Sequence, residues 1–300
     1  MSGYSAIDLS LLPVPDVVET LDYEVILAAM KADLAARAPD LAAVLALESE
    51  PVVKLLEVCA YREVLIRARV NDAAQAVTLA RATGTDLDNL AALFGVARLV
   101  INPGDPLAVP PVAPTLESDA DLRRRAQLAL EGFSTAGPEG AYVFHALSAD
   151  GDVLDVSATS PSPGDVLVTV LSRMGSGAAG APLLAAVQAA LNADDVRPLC
   201  DNVVVQSAAI VSYAITATLF FYPGPDSAVV MAAAQAAATA YAAAQHRIGR
   251  DVTISGLHAA LHQPGVQRVV LTSPSAALTI GSAQASWCTA ITLINGGVDE

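Results

Sequence analysis

Apolar positions in the first 95 residues recur at the spacing expected of helices. One stripe with intervals of four, three and four residues is typical of an amphipathic helix, which Pro39 ends. A short helix is predicted over 41–47. A long helix begins at Pro51, a favoured first helical position, and stops at the Thr-Gly signal of 83–84. Asp86 is predicted to cap a last short helix. The stripe consists of Tyr23, Leu27, Met30 and Leu34.

The second half of the chain alternates predicted strands with predicted helices. Apolar and polar residues alternate with period two between 211 and 219, which predicts a strand with one buried face. The uncharged stretch 202–225 therefore favours a strand over a membrane span, which needs about 20 mostly apolar residues. Five prolines within 96–116 break the chain before a helix at 119–131. Predicted strands cover 153–159, 166–171, 202–206, 210–221, 266–272, 276–280 and 287–294, and predicted helices cover 182–193, 226–245 and 254–262.

The second half also contains an internal repeat. His145 and His258 are each followed fourteen residues later by Thr-Ser-Pro-Ser, at 159–162 and 272–275. Because every matching position has the same offset of 113 residues, the repeat suggests a duplicated helix–strand–turn–strand unit. The patterns together predict an α+β protein with a helical N-terminal region and two tandem α+β lobes. The predicted domains are a helical region at 1–95, a Pro-rich linker and connecting helix at 96–134, a first lobe at 135–206 and a second lobe at 207–300.

The charge of the chain excludes some classes of partner. The 300 residues carry a formal charge of −15, which argues against nucleic-acid binding, since that normally uses a basic face. It also argues against docking on an anionic membrane. Residues 1–150 hold 11 basic and 21 acidic side chains, whereas residues 151–300 hold 5 and 10. Because interface cores are depleted in charge, the second half is either covered by other subunits or has a surface of uncharged Ser, Thr, Gln and Ala.

Few residues have the spacing of a catalytic or metal site. His258 and His262 are one helical turn apart, so both can face one metal, but no Glu follows His258 as in HExxH. Since His258 repeats His145, a packing role is the simpler interpretation. The consecutive arginines 123–125 suggest a solvated or salt-bridged face. No acid, base and electrophile come together, so we predict no catalytic residue, cofactor or metal. The alternatives are a metal-dependent hydrolase using His258 and His262, and a small-molecule module with a pocket between the lobes.

A series of segments in a fixed order is more specific than any one motif of the chain. The series comprises EPVVKLLEVCAYRE at 50–63, NDAA at 71–74, ATGTDLDNLA at 82–91, GVAR at 95–98, DLRRR at 121–125, STAGP at 134–138, AY at 141–142 and the hairpin of 153–170 with SPSPG at 160–164. This series covers nearly the whole chain and resembles the baseplate J family of contractile-tailed bacteriophages and phage-tail-like bacteriocins, with the least resemblance over 99–116.

The resemblance implies a structural protein that is not an enzyme. Family members form the wedges of the baseplate, six of which surround a central hub and trigger contraction of the tail sheath. The implied partners are a tail protein I-like wedge subunit, a lysozyme-like wedge component, a second copy of the chain and the neighbouring wedges. The implied location is the tail baseplate of the virion, after assembly in the cytoplasm of the host bacterium.

The resemblance also implies where the partners bind. In the family, N-terminal helices of the wedge subunits form a shared bundle, and the C-terminal lobes link neighbouring wedges into a ring. The apolar stripe of the first helix suits such a bundle, and arginines on the adjoining helix suit charge pairs across it. The candidate wedge-bundle interface therefore consists of Tyr23, Leu27, Met30, Leu34, Arg62, Arg67 and Arg69.

Overall fold

A computed structural model describes residues 7–134, 138–194, 196–198, 200–224 and 226–299. The chain divides into two compact units. A helical unit contains residues 7–97 and 119–123, and a mixed unit contains residues 98–118 and the described residues from 124 onward. Helices alone form the first unit, whereas the second combines helices with sheets. The predicted α+β class with a helical N-terminal region is therefore confirmed. Part of the resembling segment at 134–138 lies outside the described residues, as do residues 1–6.

The helical unit is built around two long helices that pack along each other. Its helices are α1 (Tyr23–Arg37), α2 (Pro51–Ala76), α3 (Gly84–Ala92) and the start of α4 (Asp119–Leu128). The Asp22 carboxylate caps α1 by accepting the N–H groups of Glu24 and Val25. Pro51 is at the N-terminal end of α2, as predicted. The core of this unit includes Leu27, Leu45, Val53, Ala60, Leu87 and Ala91.

The predicted end of the long helix is wrong. α2 ends at Ala76, and Gly84 begins α3 instead of closing α2. A side chain distant in sequence lies at the start of α3, where Asp119 accepts the N–H of Gly84 at 3.1 Å. That contact satisfies one of the donors that a helix start leaves without a partner. Thr83 is accordingly the N-cap of α3, and Asp86 lies in its first turn rather than at the cap.

The helix predicted over 41–47 is also wrong. The structure has two single 3₁₀ turns there, Pro39–Leu41 and Val44–Ala46. A helix of seven residues is too short to be stable by propensity alone. Of these residues only Leu45 is buried, so the segment gains little from tertiary packing.

The Pro-rich segment forms a two-stranded ribbon rather than an extended linker. Strand β1 (Val100–Asn102) pairs antiparallel with β2 (Thr115–Leu116), and one further bridge joins Asp105 to Val112. All five prolines of the segment lie in the connection between the two strands, where no ladder N–H is needed. The ribbon belongs to the mixed unit.

The first lobe of the mixed unit is a three-stranded sheet with two helices on one face. It consists of α5 (Glu139–Ala149), β3 (Val153–Ser162), β4 (Asp165–Ser172), α6 (Ala181–Leu191) and β5 (Asn202–Ser207). The central strand β4 is antiparallel to β3 and parallel to β5. Val168 and Val170 on β4 pack with Val187 and Leu191 on α6 and with Ala146 on α5.

The second lobe has the same arrangement of strands from a different chain order. It consists of β6 (Ala209–Phe221), α7 (Ser227–Gln245), α8 (Ile254–Leu261), β7 (Val266–Ser273) and β8 (Gln284–Val298). The central strand β6 is antiparallel to β7 and parallel to β8. The predicted alternation on β6 is confirmed, because Tyr213, Ile215, Ala217, Leu219 and Phe221 are buried and the residues between them are not.

Helix α7 covers the sheet of the second lobe. By length and composition alone it is apolar enough to cross a membrane. Three residues at intervals of four, Val230, Ala234 and Ala238, are buried in the core that also contains Ile215 and Leu219. Residues at this spacing share one helix face, so α7 packs as a helix that covers a sheet.

The two lobes share part of the predicted repeat, namely one helix and the strand that follows it. Helix α8 and strand β7 occupy the positions of α5 and β3, each leading into the edge strand that is antiparallel to the centre. The strand predicted at 276–280 is wrong, since Leu278 forms only an isolated bridge with Val252. In the second lobe the earlier strand β6 takes the place beside β7 that β4 has beside β3 in the first lobe, so the segment after the Thr-Ser-Pro-Ser turn is not the central strand.

Candidate assembly surfaces

The predicted stripe of α1 lies in the protein's own packing. Leu27 is buried, and Tyr23, Met30 and Leu34 are half-buried, where α1 packs with α2. The spacing thus identified the inner face of α1. A role of these four residues in a bundle with other subunits stays a prediction.

Of the three predicted arginines, Arg62 and Arg69 lie on one side of α2 and Arg67 lies on the other. Arg67 is on the side of α2 that contacts the preceding chain, where its guanidinium lies 2.6 Å from Glu63 and 3.0 Å from Glu19. These carboxylates raise the pKa of Arg67, chiefly through the hydrogen bond to Glu63. Arg62 and Arg69 are exposed on the opposite side. Among the residues that the structure describes, neither of these two has an ion-pair partner.

Arg62 and Arg69 stand in the middle of an exposed apolar face, which we call the outer face of α2. At about 100° per residue, its members fall within one side of the helix, opposite the buried Val53 and Ala60. The spacing of three and four residues on this face is visible in the sequence, but α2 is apolar on both sides, so spacing alone does not show which side the protein leaves exposed. The outer face consists of Leu55, Val58, Arg62, Leu65, Ile66, Arg69 and Val70, all exposed.

The three arginines of α4 make contacts within the protein, as the salt-bridge interpretation predicted. Arg123 donates to two backbone oxygens, those of Leu79 and Ala82, at 2.7 and 2.6 Å. Arg124 pairs with the buried Asp155. Arg125 pairs with another buried carboxylate. All three guanidinium groups are therefore occupied in stabilising the fold.

A cleft of about 670 Å³ lies where the two lobes of the mixed unit meet. Asp155 stands in its wall and accepts from Arg124 at 2.7 Å and from the N–H of Ile248 at 2.9 Å. Tyr142, also in the wall, donates to Asp201 at 2.6 Å, and burial together with this bond raises the pKa of its hydroxyl. The side chains of Arg124, Asp155 and Tyr142 in this cleft are thus already paired within the protein.

The two histidines proposed as metal ligands have separate environments. His258 is half-buried, and His262 is the exposed C-cap of α8 and donates its N–H to the His258 carbonyl at 2.9 Å. His145, the repeat counterpart of His258, makes an edge contact with the ring of Phe144. Within the described part of the chain, no three His, Cys, Asp or Glu side chains form a group able to hold a metal.

Comparison with known families covers the helical unit, the ribbon and both lobes. Three family profiles match in chain order: Baseplate J-like N-terminal domain over residues 48–105, Baseplate J-like central domain over 134–207, and Baseplate J-like protein C-terminal domain over 213–294. The chain therefore has the domain series of a phage baseplate protein.

A full-length relative supports the same assignment. Baseplate protein J of Escherichia phage P2 is 54% identical over 299 residues, which cover 98% of this chain and 99% of the relative. The chain belongs to the baseplate J-like family, and the resemblance found in the sequence is confirmed. Membership assigns it a structural role in a phage tail baseplate.

Proposed function

We propose that the chain is a wedge subunit of a contractile tail, of a phage or a tail-like particle, and is not an enzyme. It assembles with other wedge proteins into a ring around the hub and transmits the contraction trigger. The observation that carries this proposal is the outer face of α2. It exposes apolar side chains at the spacing with which helices pack against each other. Large contiguous apolar patches are rare on monomers and are typical of interaction sites.

The chemistry of the outer face suggests its partner. Apolar residues at spacings of three and four suit packing against another helix. Arg62 and Arg69, which lack carboxylate partners among the described residues, suit acidic side chains on that helix. We propose that the helical region at 1–95 joins a bundle with a tail protein I-like subunit and a second copy of this chain.

The remaining domains have proposed roles in the ring. The segment 96–134 connects the bundle region to the lobes at 135–206 and 207–300. These lobes contact neighbouring wedges and a lysozyme-like component, which is consistent with their low content of charged residues. Contraction follows when these contacts rearrange, as in other switches where subunits move about an interface.

The apolar part of the outer face is tested by a matched pair of variants. Ile66 on the outer face and Val25 on α1 are both apolar and have exposures of 66% and 64%. We expect Ile66→Glu to reduce co-purification with a co-expressed tail protein I-like subunit by at least about fivefold, since a core interface residue contributes more than about 1 kcal/mol. Val25→Glu should leave it unchanged. Equal recovery with both variants would contradict the proposed surface.

The charged part of the outer face is tested by charge reversal. We expect Arg62→Glu/Arg69→Glu to weaken wedge assembly, because the new charges repel carboxylates on the partner. Lys31→Glu/Arg37→Glu on α1 changes the net charge by the same amount and serves as the control. Native mass spectrometry of the co-expressed complex measures both. A complex of two copies of this chain with one partner that survives the first double variant unchanged would remove the arginines from the proposal.

A further inference from the structure

The two edges of the sheet in the first lobe differ in how they are protected from pairing. Edge strands usually carry charges, bulges or a cover that prevents another strand from adding to them. The β5 edge is closed by a side chain of α6, because the Gln188 amide donates to the Val203 carbonyl at 2.9 Å and accepts the N–H of Val205 at 3.1 Å. At the other edge, no described strand pairs with β3 on the side away from β4, and this edge lies along the cleft of about 670 Å³.

The register of β3 shows that some of its backbone groups point into the cleft. The Val170 carbonyl accepts the N–H of Ala208 on the β5 side of β4. Val170 and its partner Val156 therefore form a non-hydrogen-bonded pair, whose members direct their backbone groups away from each other. The same holds for Ala158, two residues further along β3. Residues 156–160, which all line the cleft and which we call the cleft edge, therefore present donors and acceptors to a further strand.

The cleft edge begins beside a second pocket, which we call the arginine pocket. Its volume is about 500 Å³, and it is lined by Arg124, Asp155, Arg247, Ile248, Gly249 and Arg250. Asp155 and the Leu154 carbonyl, to which Arg247 donates, place this pocket at the start of β3. Three guanidinium groups and one carboxylate give the pocket a positive formal charge, although the whole chain carries −15. The pocket is therefore suited to an anionic group.

Arg250 is the arginine of this pocket that is best placed to meet an anion from outside. It is exposed and donates to the carbonyl of Ala244 at 2.8 Å. That acceptor is neutral, so the bond holds the side chain in place without cancelling its charge. Arg124, by contrast, already pairs with the carboxylate of Asp155.

We propose that the cleft binds an extended segment of another tail protein, with acidic side chains in the arginine pocket. The segment pairs antiparallel with the cleft edge, since antiparallel pairs are slightly more stable than parallel ones. Because the arginine pocket lies at the start of β3, the acidic side chains are at the C-terminal end of the segment. Strand addition to an open edge is a common mode of peptide recognition. That the segment comes from a tail protein rests on the proposed function.

The two faces of β3 specify the remaining side chains of the segment. Val156 and Ala158 belong to the core beneath α5 and α6, and Ser157 and Thr159 point to the other face. Neighbouring residues on adjacent strands share a face of the sheet. The segment should therefore alternate apolar and uncharged polar residues before its acidic end. A basic end would meet the arginines with like charge, which disfavours that partner.

The test measures binding of a synthetic peptide to the full chain by fluorescence anisotropy. The probe is TVTVTDE with blocked ends and a fluorophore at the N-terminus. It alternates as the faces of β3 require and ends in two acidic residues. The control peptide TVTVTNQ has nearly the same shape without the charges. We expect TVTVTDE to bind at least about tenfold more tightly than TVTVTNQ, because hydrogen bonds between charged groups are the stronger ones.

A matched pair of variants tests the position of the acidic end. Arg250→Gln should weaken binding of TVTVTDE by about tenfold and leave binding of TVTVTNQ unchanged. Arg69→Gln removes the same charge from an exposed position in the helical unit and should affect neither peptide. Circular dichroism confirms that both variants are folded.

Hydrogen exchange tests the position of the strand. Addition of TVTVTDE should slow exchange at Val156 and Ala158, because their N–H groups point into the cleft and gain acceptors from the peptide. Exchange at Ser157 and Thr159 should stay the same, since their N–H groups already face β4.

Each other outcome overturns the inference. It is wrong if neither peptide binds, if both bind equally, or if Arg250→Gln binds TVTVTDE as tightly as the unaltered chain. It is also wrong if inorganic phosphate displaces the peptide while exchange at Val156 and Ala158 stays fast, because the arginine pocket is then a site for small anions only. A dimer that the peptide dissociates in sedimentation velocity would overturn it by assigning the cleft to a second copy of this chain. Because this test needs no other tail protein, its result is independent of co-purification through the outer face of α2.

Discussion

Glu117 and Arg125 form an ion pair that is almost completely buried in the mixed unit. Their exposures are 3% and 4%, and two hydrogen bonds join Arg125 Nε and Nη2 to the two carboxylate oxygens at 2.8 and 2.6 Å. The same carboxylate accepts the N–H of Leu99 at the base of the ribbon. Removal of either partner would leave a buried charge without its counter-ion, which is far more costly than the loss of an exposed pair.

Replacement of Glu117 should therefore destabilise the fold strongly. We expect Glu117→Leu to lower the free energy of unfolding by about 3–5 kcal/mol, measured by urea denaturation of the full chain. The double variant with Arg125→Met should recover much of this loss, because apolar groups often replace a buried ion pair without cost. Arg37→Met breaks an exposed pair with Asp33 and should cost less than about 1 kcal/mol. A Glu117 variant as mild as this control would contradict the argument.

The three cysteines differ in exposure, and their reactivity should differ in the same way. Cys59 and Cys200 are exposed, whereas Cys288 is half-buried. Burial raises the pKa of the Cys288 thiol, so less of it is thiolate, the reactive form, at a given pH. We expect iodoacetamide at pH 8 to label Cys288 more slowly than the other two, as measured by peptide mass spectrometry. In urea the three rates should converge, and equal rates in the native protein would refute the effect of burial.

At the scale of elements, the N-terminus of α7 depends on one side chain. Asp226 accepts the N–H of Ala228 at 2.9 Å and acts as the N-cap. The helix covers the core of the second lobe, so weakening its start should weaken the lobe. We expect Asp226→Ala to lower the free energy of unfolding by about 1 kcal/mol, whereas Asp226→Asn should be nearly neutral because Asn caps equally well. Equal losses in the two variants would assign the effect to charge rather than to capping.

Elements whose signals are local could be predicted from the sequence. α1, α2 and α7 have long apolar periods and start signals of their own, and β6 has five buried residues in strict alternation. Elements that depend on distant partners were missed. Gly84 begins a helix at which Asp119, distant in sequence, accepts its N–H. Residues 276–280 are not the central strand of their sheet, because the earlier strand β6 has that place.

The candidate interface was predictable only in part for a similar reason. Spacing identifies an apolar helix face but does not tell which face the protein itself covers. α1 has a single apolar stripe, and this stripe packs against α2 within the protein. α2 is apolar on two sides, and only the fold distinguishes the inner side, with Arg67 bound to Glu19, from the outer side with Arg62 and Arg69.

At the scale of the whole molecule, Asp155 connects the two lobes of the mixed unit. It lies on β3 of the first lobe and accepts from Arg124 on α4 and from Ile248 in the second lobe. Arg247 donates to the Leu154 carbonyl beside it. A small apolar cluster continues the contact between the lobes and contains Leu154, Leu171, Ala208, Ile210, Ile248 and Ala285. These contacts join the two lobes within one compact unit.

Hydrogen exchange tests whether Asp155 holds the two lobes together or stabilises only the Ile248 amide. Asp155→Ala removes the acceptor of the Ile248 amide, and Asp251→Ala removes an equivalent acceptor, at 2.7 Å, from the Ile280 amide within the second lobe. We expect Asp155→Ala to speed exchange at Ile248 and also across residues 153–157, because both sides of the joint open together. Asp251→Ala should speed exchange around Ile280 alone. If Asp155→Ala speeds exchange only at Ile248, the Asp155 carboxylate does not hold the two lobes together. The apolar cluster then joins the lobes without it.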